Sequence, residues 1–147
     1  MTSVVKTKKL TKKAITPTYG TPCSAGADLY NAEEYPISIA PGETRLIHTG
    51  LSFEIPEGCV GLIFARSGLA TKRGLAPANK VGVIDSDYRG EVMVSLFNQS
   101  GETQTVEYGE RLAQLAIVPF IKADFEISDE LSETVRGRGG FGSTGMK

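Results

Sequence analysis

Apolar residues along this chain come in short runs, each broken by glycine, proline or a charged turn. Residues 45–55 and 59–64 are rich in β-branched, aromatic and aliphatic side chains, with Pro56 and Gly58 between them. They predict two strands joined by a tight turn. Residues 81–84 and 91–97 flank Ser86-Asp87-Tyr88-Arg89-Gly90, which predicts a hairpin with a short polar tip. A further strand is expected over Leu112, Leu115, Ile117 and Pro119, after a turn at Tyr108-Gly109-Glu110. Near the start, Lys6, Lys8, Lys9, Lys12 and Lys13 accompany Val4, Val5 and Leu10. A lysine-protected edge strand with those three apolar contacts is favoured over a nuclear or nucleic-acid signal. Thr16, Pro17, Gly20 and Pro22 mark a loop. Only residues 67–72 and 128–135 could be helical, and both stretches are short. There are no heptads and no repeat of about 20–50 residues. Regular short strands with such turns predict an all-β sandwich or barrel.

Composition narrows the class further. At 147 residues one domain is expected, large enough to bury a core without disulfides or a structural metal. The 17 glycines and seven prolines fit many tight turns. A net charge of −1 gives no general attraction to nucleic acid or to an anionic membrane. No apolar run is long enough to span a bilayer, and no apolar segment follows the N-terminal charges as in a secretory signal. Cys23 and Cys59 form no metal-binding spacing, so an intracellular, reducing setting with both thiols free is expected. His48 is the single histidine, so a histidine-ligated metal centre or histidine-based triad could be built only by repeating it through symmetry.

Five segments could carry chemistry. The stretch Arg136 to Gly145 interleaves cations, one aromatic and two hydroxyls among glycines. Unshielded backbone N–H groups there can approach phosphate oxygens. The plainer reading is a loose tail, and the two agree if the tail orders on a ligand. At the expected hairpin tip, Asp85 could act as general base for water, as a carboxylate at a strand end can; Asp85 and Asp87 also suit a plain polar turn. Arg66-Ser67-Gly68 follows an apolar run and could grip phosphate, or Ser67 could merely cap a helical turn. Gln114 sits in an apolar alternation, where a half-buried amide needs partners. Asp28 lies between small and apolar residues, and spacing does not choose between a structural acid and a site acid.

Taken in order, these segments resemble the trimeric dUTP nucleotidohydrolase (dUTPase) family. The matching residues are Ala25-Gly26-Ala27-Asp28-Leu29-Tyr30, Ala65-Arg66-Ser67-Gly68-Leu69-Ala70, and Gly82-Val83-Ile84-Asp85-Ser86-Asp87-Tyr88-Arg89-Gly90. Gly109-Glu110-Arg111-Leu112-Ala113-Gln114-Leu115 and Arg136 to Gly145 complete the set. Ala65 departs from the family's usual proline, at a position that bears on strand stiffness rather than on a ligand group.

The resemblance implies a jelly-roll-like β-barrel over residues 1–135, with at most one short helix. It implies a flexible glycine-rich arm over residues 136–147 that closes on a neighbouring subunit's site in a homotrimer. The implied reaction is dUTP plus water giving dUMP and pyrophosphate, which limits uracil incorporation into DNA and supplies dUMP for thymidylate synthesis. Asp85 is the implied base for a water that attacks the α-phosphorus. Arg66, Ser67 and Gly68 would contact phosphate, with Gln114 and Asp28 supporting the phosphate and metal-water region. Asn79, Val83, Ile84 and Met93 would read uracil largely through backbone groups, and Tyr88 would pack under the deoxyribose. Arg136, Phe141, Ser143 and Thr144 would come from a neighbour, Phe141 stacking on the base. Mg²⁺ is expected on the triphosphate oxygens with few or no protein ligands. Neither membrane nor stable nucleic-acid partners are expected. Deamination of dCTP, a nucleotide-sensing module without turnover, and an arginine-glycine RNA-binding tail are the competing readings.

Overall fold

The computed structural model describes residues 4–140. These form twelve strands and one short helix. In chain order they are β1 Lys6–Lys9, β2 Thr18–Tyr19, β3 Ala27–Tyr30, β4 Ile37–Ile39, β5 Thr44–His48, β6 Leu51–Glu54, β7 Cys59–Ala65, α1 Ser67–Arg73, β8 Leu75–Pro77, β9 Gly82–Ile84, β10 Met93–Asn98, β11 Gln104–Val106 and β12 Arg111–Pro119. Every strand pairing is antiparallel. The largest sheet runs β2-β3-β12-β7-β9, a second runs β5-β10-β8, and β1-β6 and β4-β11 form two ribbons. Together they make the jelly-roll-like β-barrel expected from the short strands.

One apolar core fills the barrel. Leu29, Ile39, Ile47, Leu51, Leu75, Val92, Val94, Leu96, Val106 and Leu112 are all but inaccessible to solvent. β10 shows how alternation builds it: Val94, Leu96 and Asn98 are buried while Met93, Ser95 and Phe97 are half-buried, the period of two that a strand imposes.

Strands form where the runs 45–55, 59–64, 81–84, 91–97 and 112–119 predict them, but β2 (inside the expected loop), β3, β4, β8 and β11 are further strands, and two expected pairings do not form. The apolar run 45–55 is two strands, not one. It breaks at Gly50, whose φ of +67° is a left-handed conformation that glycine adopts without steric cost. β5 and β6 then enter different sheets, and β7 a third, so no hairpin joins them. The expected hairpin over 81–97 keeps its polar tip but not its ladder. β9 pairs with β7 and β10 pairs with β5 and β8, because residues 85–92 are long enough to change sheets. Residues 128–135 are not helical. They are exposed throughout, and so short a segment lacks the tertiary packing that sustains a helix.

The basic N-terminal segment is an edge strand. β1 pairs with β6, and Lys6 bonds Glu54 across the ribbon at 2.8 Å. Val5 packs against the core, whereas Val4 and Leu10 stay exposed.

Candidate active site

Polar side chains gather at both ends of β7. At its C-terminal end, Asp28 of β3 lies in register with Gln114 of β12, and Gln114 with Phe64 of β7. Gly26 lets the Gln114 side chain lie close, since a Cβ there would sit 3.0 Å from Gln114 Cβ. Arg66 follows β7 and occupies the N-cap position of α1, with extended backbone. The side chain of Ser67 does not cap that helix; the residue is its exposed first position.

Asp28 organises this end. Its side chain is only 5% exposed. Arg66 Nε donates to Oδ1 at 2.8 Å and Arg111 Nη1 donates to Oδ2 at 3.3 Å. Two guanidinium groups against one carboxylate leave a net positive charge facing outward, suited to a phosphate. Arg111 lies in the quoted motif but received no role from sequence, because its ionic partner is 83 residues away. Ser67 and Gly68 are exposed beside it, and a side chain at Gly68 would meet open space. The helix that carries them is anchored at its far end. Arg73 bonds Gln104 at 3.0 Å and also bonds Glu110 and the Thr105 carbonyl. Gly74, at φ +66°, closes its C-terminus.

At the other end, β9 delivers Asp85. Asp85 is exposed, and its carbonyl accepts the Tyr88 N–H at 3.2 Å. The tip is closed by Arg89, whose Nη1 donates to the Ser86 carbonyl at 2.7 Å. Tyr88 Oη donates to the Glu91 carbonyl at 2.9 Å. Its ring lies over Gly90, where any Cβ would overlap it.

Two cavities adjoin this tip. One, of about 190 Å³, is lined by Asn79, Gly82, Val83, Ile84, Met93 and Leu46, among others. The next, of about 230 Å³, is lined by Asp85, Tyr88, Glu91, Val83, Met93 and Leu46, among others. Each is smaller than a usual ligand pocket of roughly 300–1,000 Å³, so each suits one ring of a ligand rather than the whole. Asn79, Val83, Ile84, Asp85, Tyr88 and Met93 thus lie around these two cavities, Asn79 on the first and Asp85 and Tyr88 on the second. Leu46, 54% exposed, was missed; it lines both cavities yet reads in sequence as one apolar residue of a strand. A larger trough of about 600 Å³ runs past Lys6, Arg89, Glu54, Glu57 and Asp87. Its opposite charges offset one another, and Asp85 and Tyr88 do not line it.

One chain does not unite the two ends. Ile84 pairs with Gly61 in antiparallel register, so Asp85 continues toward the N-terminal end of β7. Arg66 leaves at the opposite end, five residues beyond Gly61. At about 3.4 Å per residue this is about 17 Å of strand. Arg66 and Asp85 of the same chain therefore face opposite ends of the sheet.

The C-terminal segment stands apart from both. Every residue from 119 to 138 is exposed, including Ile121, Phe125, Ile127, Leu131 and Val135. Arg136 Nε donates to the nearby Gly139 carbonyl at 2.9 Å. Phe141, Ser143 and Thr144 lie outside the described residues. No described helix is long and apolar enough to cross a membrane.

Comparison with known proteins adds to this geometry. The dUTPase family model matches residues 12–145. The deoxyuridine 5'-triphosphate nucleotidohydrolase of Desulfitobacterium hafniense strain DCB-2 is 51% identical over 131 residues, covering 88% of this chain and 87% of that protein. The dUTPase of Staphylococcus bacteriophage 80alpha, solved with dUpNHpp, superposes with a TM-score of 0.87 at 31% identity, covering 99% of this chain and 100% of that one. A variant dUTPase of phage phi11 of S. aureus, whose structure describes coordination of a structural Mg(II) ion, superposes with a TM-score of 0.78 at 27% identity, covering 87% of this chain and 98% of that one.

Proposed function

Because this chain belongs to the dUTPase family, we propose that it hydrolyses dUTP to dUMP and pyrophosphate, with Asp85 taking the proton of the attacking water. The water oxygen bonds to the α-phosphorus as its proton passes to the Asp85 carboxylate. The bond from that phosphorus to the bridging oxygen breaks, and pyrophosphate leaves. The observation that carries this reading is the pair of ring-sized cavities with Asp85 and Tyr88 on the wall of one and Asn79 on the wall of the other.

Specificity follows from the walls. Uracil offers two carbonyl acceptors and one N–H donor. A backbone N–H facing its 4-carbonyl rejects cytosine, whose amino group is a second donor there. Leaving buried polar groups unpaired can discriminate by roughly 10⁴-fold. A close wall at Val83, Ile84 and Met93 leaves no room for thymine's methyl group. Tyr88 against the sugar leaves none for a 2′-hydroxyl.

A homotrimer completes the site on this reading. The separation of Arg66 and Asp85 along β7 supports it, because the phosphate grip of one copy then serves the base of another. The exposed apolar side chains from Ile121 to Val135 support a segment that docks on a neighbour and carries Arg136, Phe141, Ser143 and Thr144 to its site. Residues 1–135 are then the barrel unit and residues 136–147 the closing arm, which excludes bulk water once ordered.

Asp28 acts on phosphate through Arg66, which it orients, with Gln114 beside it in register. Among the described residues no group of three or more His, Cys, Asp or Glu side chains is arranged to hold a metal ion. A Mg²⁺ bound mainly by substrate phosphates and water fits such a site; it would neutralise phosphate charge during the transfer. Nucleic acid and membrane have no part in this function, and the reaction belongs inside the cell, where deoxynucleotides are.

The test is pyrophosphate release with Mg²⁺ from dUTP, dTTP, dCTP and UTP in parallel. Release from dUTP, with little from the others, is expected. Equal rates on all four would overturn the base and sugar specificity, and ammonia release from dCTP would point to deamination instead.

A further inference from the structure

We propose that Glu91 is a positioning residue that sets the Tyr88 ring against the sugar and thereby governs rejection of ribose. The proposal rests on the dUTP reading above. Tyr88 sends its hydroxyl to the backbone carbonyl of Glu91 at 2.9 Å, so the ring goes where residue 91 goes. Glu91 precedes β10 and belongs to no strand ladder. Its place is fixed by its own carboxylate together with the backbone of the next residue, Val92, which is held by Leu51 and Thr49. Oε1 accepts the Gly50 N–H at 2.8 Å, and Oε2 bonds His48 Nδ1 at 2.8 Å. The Glu91 side chain is 21% exposed, and Glu91 lines the same cavity as Tyr88 and Asp85.

The anchor is stiff on the other side. Gly50 is held at φ +67° with Ala14 and Thr11 behind it, each within 2.9 Å of where a Cβ would sit. Its carbonyl accepts the Leu10 N–H at 2.7 Å, and the Val92 N–H bonds the Leu51 carbonyl at 2.8 Å. The buried Thr49 hydroxyl donates to the Val92 carbonyl. The turn between β5 and β6 is therefore a fixed post to which Glu91 ties the returning arm of the tip. The charges facing His48 are Glu91 and, at 3.9 Å from Nε2, Glu33. The hydrogen bond to Glu91, more than the nearby negative charges, raises the His48 pKa above its ordinary value, against a smaller effect of burial. The charged form of the clamp is thus fully present below about pH 6.5. It is lost as pH rises through the raised value, while the Gly50 bond persists.

The experiment measures kcat/KM for dUTP and UTP from about pH 5.5 to 9 in the wild type, Glu91→Ala, Glu91→Gln and His48→Asn. The ratio of the two substrates cancels ionisation of the phosphates and of Asp85, which both share. Glu91→Ala is expected to lower the dUTP preference about tenfold, the worth of one hydrogen bond to a charged group, mostly through KM. Glu91→Gln keeps an acceptor for Gly50 and is expected to lose less. Both Glu91→Gln and His48→Asn should flatten the pH dependence of the ratio. Unchanged ratios in all variants, with activity on both substrates falling together, would reduce Glu91 to a stability role and overturn the proposal. Tyr88 ring signals by NMR, followed through the His48 titration, test the clamp without turnover. Signals that follow the titration in the wild type but not in Glu91→Gln support it even if dUTP is not cleaved. Signals that ignore both overturn it while leaving the assignment of the reaction intact.

Discussion

Asp28→Asn is the change with the most legible consequence. It keeps the side chain's shape and removes its charge, leaving Arg66 and Arg111 without their shared counter-ion. The Arg66 bond is short, and its partner is buried while Arg66 itself is 24% exposed. A charge-assisted bond of that kind is worth about 1.5–3 kcal/mol. Arg111 is 51% exposed at 3.3 Å, so solvent screening limits its share to below about 1 kcal/mol. The asparagine oxygen still accepts one bond, but its amide turns a donor toward a guanidinium that also donates. The expected loss is about 2 kcal/mol, which at an m-value of about 2 kcal/mol per molar urea lowers the unfolding midpoint by about 1 M. Urea titrations followed by circular dichroism at several protein concentrations would read this apart from assembly. Because Arg66 also loses its aim, KM for dUTP should rise more than kcat falls. A midpoint within about 0.2 M of wild type, with unchanged KM, would refute the view that Asp28 holds the phosphate grip.

Three further outcomes are expected. Asp85→Asn should bind dUTP with near-normal affinity, measured by calorimetry, while turnover drops at least about 10²-fold, the usual worth of a general base. Deleting the residues after Val135 should leave a folded assembly by light scattering that hydrolyses dUTP poorly; full activity would reduce the arm to a tail. Gly61→Ala puts a Cβ 2.7 Å from Ile55 Cδ1 and 3.1 Å from Leu115 Cδ1, so thermal unfolding should report about 1–3 kcal/mol of overpacking.

The longer strands were readable because alternation is local, whereas β2, β3, β4, β8 and β11, of two to four residues each, were too short to show it. β10 shows its buried face within six residues. Which strands pair was not readable, since partners are chosen by how distant apolar faces close around one core. The break at Gly50 was hidden inside a run that reads as continuous apolar strand. The motif residues around Asp85 were legible as a group because they are contiguous. The roles of Arg66 and Asp28 as partners were not, since 38 residues separate them. Glu91 gave no signal at all: an acidic residue beside a turn looks solvated, and His48, which holds it, lies 43 positions earlier.

The length of β7 has a genetic consequence. If Arg66 and Asp85 act on one nucleotide only when they come from different copies, two crippled proteins should rescue each other. A chain lacking the guanidinium, mixed and reassembled with a chain lacking the carboxylate, would contain sites that draw each intact group from the opposite donor. Neither parent would have such a site alone. Activity recovered on mixing would behave as intragenic complementation, and the recovered fraction would count how often unlike copies meet.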